Sequence, residues 1–456
     1  MTFGITVLPE WAQSEGIENL LDRLQRAHVT DIATSPYVMQ PDSNGTREPP
    51  VDGGAGKVRL LERELWGHRE LSVRTAPSFH PDHTLYETTR YKPPKPDDLT
   101  EREGHVVQEF IDKASARGMK VWFQVQSAIP PGYRVQFGGP ASGDACLGPD
   151  SQPGPDRVDS NASLAAPDVI AYGEAMMQDL ARAYPGLAGI RLDWPEYPPY
   201  HFHALFFDFS PHALQVATQL DLDIERMRHD ARALQTRLTR DLDAELLSRV
   251  CHLDRNSLDV MLQRYPGMLD MLRLRRHLSL ALIQRYRQAL PASLDLVPQA
   301  FPPPFNLLSG FDFGAASEVV QGIGIKLYTM HWPMIAADYA RAMSAGKASA
   351  SKVAEALLKA LDISDQVPPA QRGFAYPEPD ENHTASADNI RRKITAAKQQ
   401  SGNCPVYAFS HAYGPCDDML RRAQAAWQAS EGNMWVNRYG YLSNEKLEAL
   451  GLMVSR

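Results

Sequence analysis

Eight short β-rich runs, separated for the most part by amphipathic helical stretches, constrain this chain more than any other feature. The runs fall near 3–8 (FGITVL), 31–35 (DIATS), 119–127 (MKVWFQVQS), 187–194 (LAGIRLDW), 294–301 (LDLVPQAF), 323–331 (IGIKLYTMH), 405–412 (PVYAFSHA) and 433–441 (NMWVNRYGY). Helical patterns occupy 16–28, 101–117, 167–184, 309–322, 387–400, 417–430 and 443–451, and much of 211–290 and 334–362. Strands that alternate with helices build a parallel sheet. Eight such units predict an α/β fold closed into a (β/α)8 TIM barrel. No Gly-rich phosphate loop follows the first run, which argues against a dinucleotide-binding sheet.

A minimal barrel needs about 250 residues, and this chain has 456. The surplus is assigned to insertions in a single catalytic barrel domain spanning 1–456. A turn-rich insertion follows strand two at about 38–100, a Pro-rich loop covers about 129–166, and a helical insertion follows strand four at about 198–290. With a formal net charge of −8 and a pI near 6.0, no global basic field favours nucleic acid. The basic runs 272–277 (LRLRRH) and 226–240 carry helical apolar spacing. They read as solvated faces of the helical insertion, which could also join copies of the chain. No run of about 18 apolar residues predicts a membrane span. The start, MTFGITV, reads as a strand rather than a signal peptide. Cys146, Cys251, Cys404 and Cys416 lack metal spacing. Free thiols in a reducing cytoplasm are expected, and no cofactor is expected.

Within the runs, period-2 alternation separates two faces. Ile190 and Leu192 oppose Arg191 and Asp193; Ile325 and Leu327 oppose Lys326 and Tyr328; Val121, Phe123 and Val125 oppose Trp122, Gln124 and Gln126. The helix-facing side of a barrel strand is apolar, so the polar set points inward. Such an interior suits a hydroxyl-rich ligand. The alternative for Arg191 and Lys326 is pairing with a buried carboxylate such as Asp295.

The sharpest local pattern is Gly189-Ile190-Arg191-Leu192-Asp193-Trp194-Pro195-Glu196-Tyr197-Pro198. Barrel enzymes carry their chemistry at the carboxyl ends of strands. Glycoside hydrolysis uses two carboxyl groups, one as acid and one as nucleophile, stabiliser or base. Asp193 and Glu196 fit that need, and Trp194, Tyr197 and Tyr200 offer sugar-stacking faces. The alternative is a strand-end Asp that caps a loop and a surface Glu. Glu10, after strand one, is a further catalytic candidate. Gln126, Gln299, Tyr328, His331, Trp332, His411, Asn437, Arg438 and Tyr439 complete the expected substrate-binding set, since each sits at or just beyond a strand end.

The segment PDVIAYGEAMMQDLARAYPGLAGIRLDWPEYP resembles the glycoside hydrolase-like barrels, including uncharacterised glycosyl hydrolase-like families. These show a helix followed by Gly-Ile/Val-x-Leu/Phe-Asp-Tyr/Trp-x-x-Tyr-Pro at strand four. FFDFSPHALQVATQLDLDIERMRHD resembles the stretch that follows in the same group. The resemblance implies a functional carboxylate at Asp193. A weaker similarity links strand four to the family 18 chitinase motif Asp-x-Asp-x-Glu. Matching Glu196 to its glutamate needs an inserted Pro195, and Ala188 and Arg191 stand at its earlier acidic positions. The common barrel clan places Glu at the ends of strands four and seven. Here strand seven ends in Ser410 and His411, and Asp417 and Asp418 read as helix N-terminal charges, so that mechanism does not transfer.

The expectation is therefore a glycoside hydrolase acting on a small carbohydrate, with no nucleic-acid or membrane partner. Two other classes stay open. A metal-dependent barrel hydrolase or sugar isomerase/epimerase could use His201, His203, His331, His411 and Asp193 as ligands. The other is a carbohydrate-binding barrel that performs no chemistry.

Overall fold

In the computed structural model, residues 1–41, 61–65, 73–134, 138–154, 161–242, 253–346, 348–365 and 375–455 are described. Ten strands are present among them: β1 (Thr2–Thr6), β2 (Asp31–Thr34), β3 (Tyr37–Pro41), β4 (Val73–Pro77), β5 (Lys120–Gln126), β6 (Gly189–Asp193), β7 (Asp295–Ala300), β8 (Ile323–Lys326), β9 (Val406–His411) and β10 (Asn433–Asn437). Eight of these close a parallel barrel in the order β1-β2-β5-β6-β7-β8-β9-β10, with β10 returning to β1. All eight expected runs supply these strands, so the (β/α)8 barrel stands. The remaining two strands, β3 and β4, form an antiparallel pair inside the first insertion.

Alternation does what it predicts. Outward positions such as Ile5, Ile32, Val121, Phe123, Ile190, Leu192 and Ile325 are fully buried against the helices. The inner face carries a separate aromatic cluster of Trp122, Phe409 and Trp435 with Ala33 and Val297. Two glycines make room for it. A Cβ on Gly4 would lie 2.3 Å from the Trp435 ring, and one on Gly324 would lie 2.4 Å from the Phe409 ring. Below these rings, Trp122 donates its indole N–H to Asp31 at 2.9 Å.

The helices follow from their apolar spacing. Ile17–Arg26 buries Leu20, Leu21 and Leu24. The helical insertion supplies Pro211–Gln219, Ile224–Arg240, Arg255–Leu262 and Pro266–Ala289. Two expectations need correction. The stretch 309–322 is not one helix. Gly310, at φ 85°, ends a short helix Phe305–Ser309, and Asp312 caps a second, Phe313–Ser317. Nor is the run 272–277 wholly a solvated face. Arg275 is fully buried, lies over the Tyr197 ring and donates to the carbonyls of Leu205 and Ala204. Cys404 and Cys416 carry free thiols, and Cys251 lies outside the described residues. Among the described residues no helix is long and apolar enough to cross a membrane.

Candidate functional site

The mouth is the carboxyl end of the barrel, and β6 delivers its central group. Asp193 is inward, as alternation requires, and its side chain keeps 15% of its surface exposed. Lys326, two strands away on β8, places its ammonium 2.8 Å from the carboxylate. Gln124 and Gln126 on β5 donate to the other carboxylate oxygen at 3.4 and 3.3 Å, and the Trp194 backbone N–H donates at 3.1 Å to the oxygen that meets Lys326. Lys326 thus does pair with a carboxylate, but with Asp193 rather than Asp295. Arg191, one layer deeper, pairs with no carboxylate among the described residues. It donates to Thr6 and Gln124 at 3.1 Å each and lies 4.4 Å from the ring centroids of both Phe409 and Trp435. Burial brings its pKa down to about 10.

Glu196 is 1% exposed. One carboxyl oxygen accepts the Phe301 N–H at 2.7 Å, and the other accepts the Ser309 hydroxyl. The Tyr197 N–H returns a bond to the Ser309 carbonyl at 3.0 Å. Burial pushes the Glu196 pKa up to about 7, against the opposing pull of the Lys326 cation and these two donors. Lys326 therefore pairs with Asp193 and acts on Glu196 through its charge. It also lies over the rings of Phe301 and Trp194, 4.9 and 5.7 Å from their centroids.

The wall is aromatic. Trp194 takes a left-handed backbone conformation (φ 53°), and its ring lies 5.9 Å from that of Tyr200. The Tyr200 hydroxyl approaches His331 at 3.4 Å. Tyr328 sits edge-on to both His331 and His411. Burial raises the Tyr328 pKa, with Asp193 adding to the shift and Arg191 and Arg438 opposing it. His411 accepts the Tyr413 N–H at 3.1 Å and packs against Tyr441, over which Arg438 lies at 5.8 Å. Gln299 is the register partner of Asp193 on β7, and Asn437 ends β10 beside His411. Glu10 occupies the short helix Pro9–Glu15 beyond β1. Its oxygens accept the Tyr37 hydroxyl at 3.1 Å and meet Arg134 at 3.3 Å.

Three expected ligand contacts lie apart from this group. Tyr197 is buried with its hydroxyl on Asp208 at 3.3 Å. Trp332 is 1% exposed and packs between Phe305 and the Lys393 ammonium. Tyr439 is turned to Glu15 at 2.9 Å, under Arg63. Each lies past its strand end, Tyr197 in irregular chain, Trp332 in a helix and Tyr439 in a 3-10 turn, where alternation no longer sets direction. Ser309 and Phe301 carry no local signal in the sequence, because only the fold brings them to Glu196. His201 and His203 stack at 5.7 Å, with His201 3.4 Å from Asp338. Among the described residues no three metal-ligating side chains converge.

A cavity of about 970 Å³ lies elsewhere, between the helical insertion and the helix Ala387–Ser401, with Leu258, Leu272, Asn306 and Lys393 in its wall. Neither Asp193 nor Glu196 lines it. Asp193 ends β6 at the mouth and Glu196 follows three residues later, both apart from this cavity.

No protein-family model and no curated protein matches the sequence. Among solved structures, the chain is similar to the β-galactosidase of the psychrophilic Marinomonas ef1, with a TM-score of 0.51 and 11% identity over 100% of this chain and 59% of that one. It is also similar to the β-galactosidase of the haloarchaeon Halorubrum lacusprofundi (TM-score 0.48, 10% identity, 99% of this chain and 57% of that one). A chitinase of Chromobacterium violaceum aligns with a TM-score of 0.40 and 9% identity over 100% of this chain and 99% of that one. The chain spans less than two thirds of the length of the two β-galactosidases. What the first of these shares with it is the barrel fold.

Proposed function

We propose that this barrel hydrolyses O-glycosidic bonds of a short carbohydrate at its carboxyl-terminal mouth. The observation that carries the reading is the Asp193–Lys326 pair at the end of β6, with a second, buried carboxyl group, Glu196, three residues on and subject to the charge of the same ammonium. Asp193 is the group presented to the anomeric carbon, as nucleophile or as stabiliser of an oxocarbenium-like transition state. Glu196, with its pKa raised to about 7, holds the proton that the leaving oxygen needs. For that transfer the segment bearing Phe301 and Ser309 must release one carboxyl oxygen. Trp194, Tyr200 and Tyr328 provide ring faces, and the Marinomonas ef1 protein that shares the fold is a β-galactosidase.

The test is a product-resolved panel of glycosides of both anomeric configurations. Asp193→Asn should lower turnover by about 10³-fold or more, and Glu196→Gln should abolish the alkaline limb of the pH profile. Undiminished hydrolysis in both variants would remove the assignment. One observation favours a second reading, a sugar-binding barrel without chemistry: both carboxyl groups already have their oxygens engaged. In that case every glycoside is bound and none is cleaved.

A further inference from the structure

The inner row of the mouth contains polar atoms that the protein itself leaves unserved. Gln126, Asp193 and Gln299 are register partners on the adjacent strands β5, β6 and β7. Equal parity sends all three side chains inward, and neighbouring strands stand about 5 Å apart. Gln126 is 5% exposed and Gln299 0%. The Gln126 amide nitrogen donates to Asp193 at 3.3 Å. Its carbonyl oxygen has no partner among the described residues, and neither has either amide atom of Gln299. A buried polar group without a partner is destabilising, and the fold carries three such atoms in one row.

These atoms identify what can be accepted beside Asp193. The amides present acceptors as well as a donor, so the complementary group must donate and accept. A hydroxyl does both. A carboxylate can only accept. It would leave the amide oxygens unserved, and the nearest cation, Lys326, is already paired with Asp193. An ammonium can only donate and would meet Lys326 and Arg191. An acetamido group has the right atoms but is bulkier than a hydroxyl, against side chains that are already closed over.

We infer that the sugar ring seated beside Asp193 is neutral and unsubstituted, with a free hydroxyl read by Gln126 and Gln299, and that hexuronic and N-acetylated rings are rejected. The inference rests on the proposed carbohydrate reading, but on its binding part and not on turnover. Entry of the ring opens the side chains over the row, and the free energy held in its unserved amides is recovered only by a hydroxyl-bearing ligand.

The experiment is calorimetric titration of the full chain with three monosaccharides of one configuration: an aldohexose, its 2-acetamido-2-deoxy analogue and its hexuronate. It is run for each common configuration, and the set of monodeoxy analogues is then run for the hexose that binds. The neutral hexose should bind about tenfold or more tighter than the other two. Gln299→Met, which keeps length and removes both amide atoms, should cut affinity for the parent hexose by about 10- to 100-fold. It should leave one deoxy analogue unaffected, the one lacking the hydroxyl that is read. A purely structural role would weaken every ligand alike. Gln126→Met is the second variant, decisive where Gln299→Met fails to fold. Equal binding of the uronate or the acetamido sugar overturns the inference, as does an equal loss for parent and all deoxy analogues, or no binding of any neutral hexose. Selective binding without cleavage leaves it standing and removes only the hydrolase reading.

Discussion

Halfway up the barrel, Arg191 lies between the rings of Phe409 and Trp435, and the positions around it are filled by rings, small residues and glycines. One layer higher, Asp193, Lys326, Gln126 and Gln299 replace the rings, and several of their polar atoms have no hydrogen-bond partner among the described residues. The two layers come from the same strands, two residues apart. The lower is packed to exclusion, and its guanidinium is held by ring faces. The upper concentrates charges and holds three unmet amide atoms, whereas in the lower the Arg191 Nε is unmet. Both layers therefore bear on stability, the lower through packing and the upper through charge, and substitutions in the two should fail in different ways.

The largest expected effect belongs to the upper layer. Lys326→Met leaves Asp193 without its cation and should cost about 3–5 kcal/mol in urea unfolding. Adding Asp193→Asn should restore most of that stability while leaving turnover lost. A double variant as unstable as the single one would mean that the pair is not the source. Next is the lower layer. Gly324→Val drives a Cβ into the Phe409 ring at 2.4 Å and should cost about 3 kcal/mol, the upper end for overpacking. A change below about 0.5 kcal/mol would show that the ring layer yields.

A third effect concerns pH. The Glu196 carboxyl is raised from its ordinary 4.5 to about 7 by burial. Between those values the folded protein holds a proton that the unfolded chain has lost. The corresponding stability is fully present below about pH 4.5 and is lost as pH rises through about 7. Each tenfold difference in proton affinity between the folded and unfolded chain is worth about 1.4 kcal/mol. Stability should thus fall by a few kcal/mol across that window, and Glu196→Gln should flatten the slope. A profile that keeps the slope in the glutamine variant places the titrating group elsewhere. Smallest is Tyr200→Phe, which removes the 3.4 Å contact with His331. It should change stability by about 1 kcal/mol or less and raise KM more than it lowers kcat. A dominant fall in kcat would place the hydroxyl in the chemistry itself.

What can be read from the chain follows from the range over which each signal acts. Period-2 alternation is local, so the inward set of Trp122, Gln124, Gln126, Arg191, Asp193 and Lys326 is legible strand by strand. Pairing across the barrel is not local. That Lys326 meets Asp193, or that Ser309 and Phe301 clamp Glu196, depends on barrel register and on the path of the β7–β8 connection. Trp332, Tyr197 and Tyr439 show the same boundary from the other side. Each stands just beyond a strand, where the sequence still names a residue type but no longer its direction. Arg275 shows that a basic run does not mark a solvated face when one of its members finds backbone carbonyls and a tyrosine ring inside.

The closure of the barrel has a consequence for how the chain reaches this state. Strand β1 hydrogen-bonds β2 on one flank and β10 on the other, with Thr2 registered against Asn433. Until residue 433 emerges during synthesis, one flank of the first strand lacks its partner. Such long-range pairing meets its loop-closure cost late, which slows assembly and lengthens the time an open strand is available to other chains. The last strand thus serves as the latch that removes that hazard, and truncation before it should yield an aggregation-prone product, not a smaller barrel.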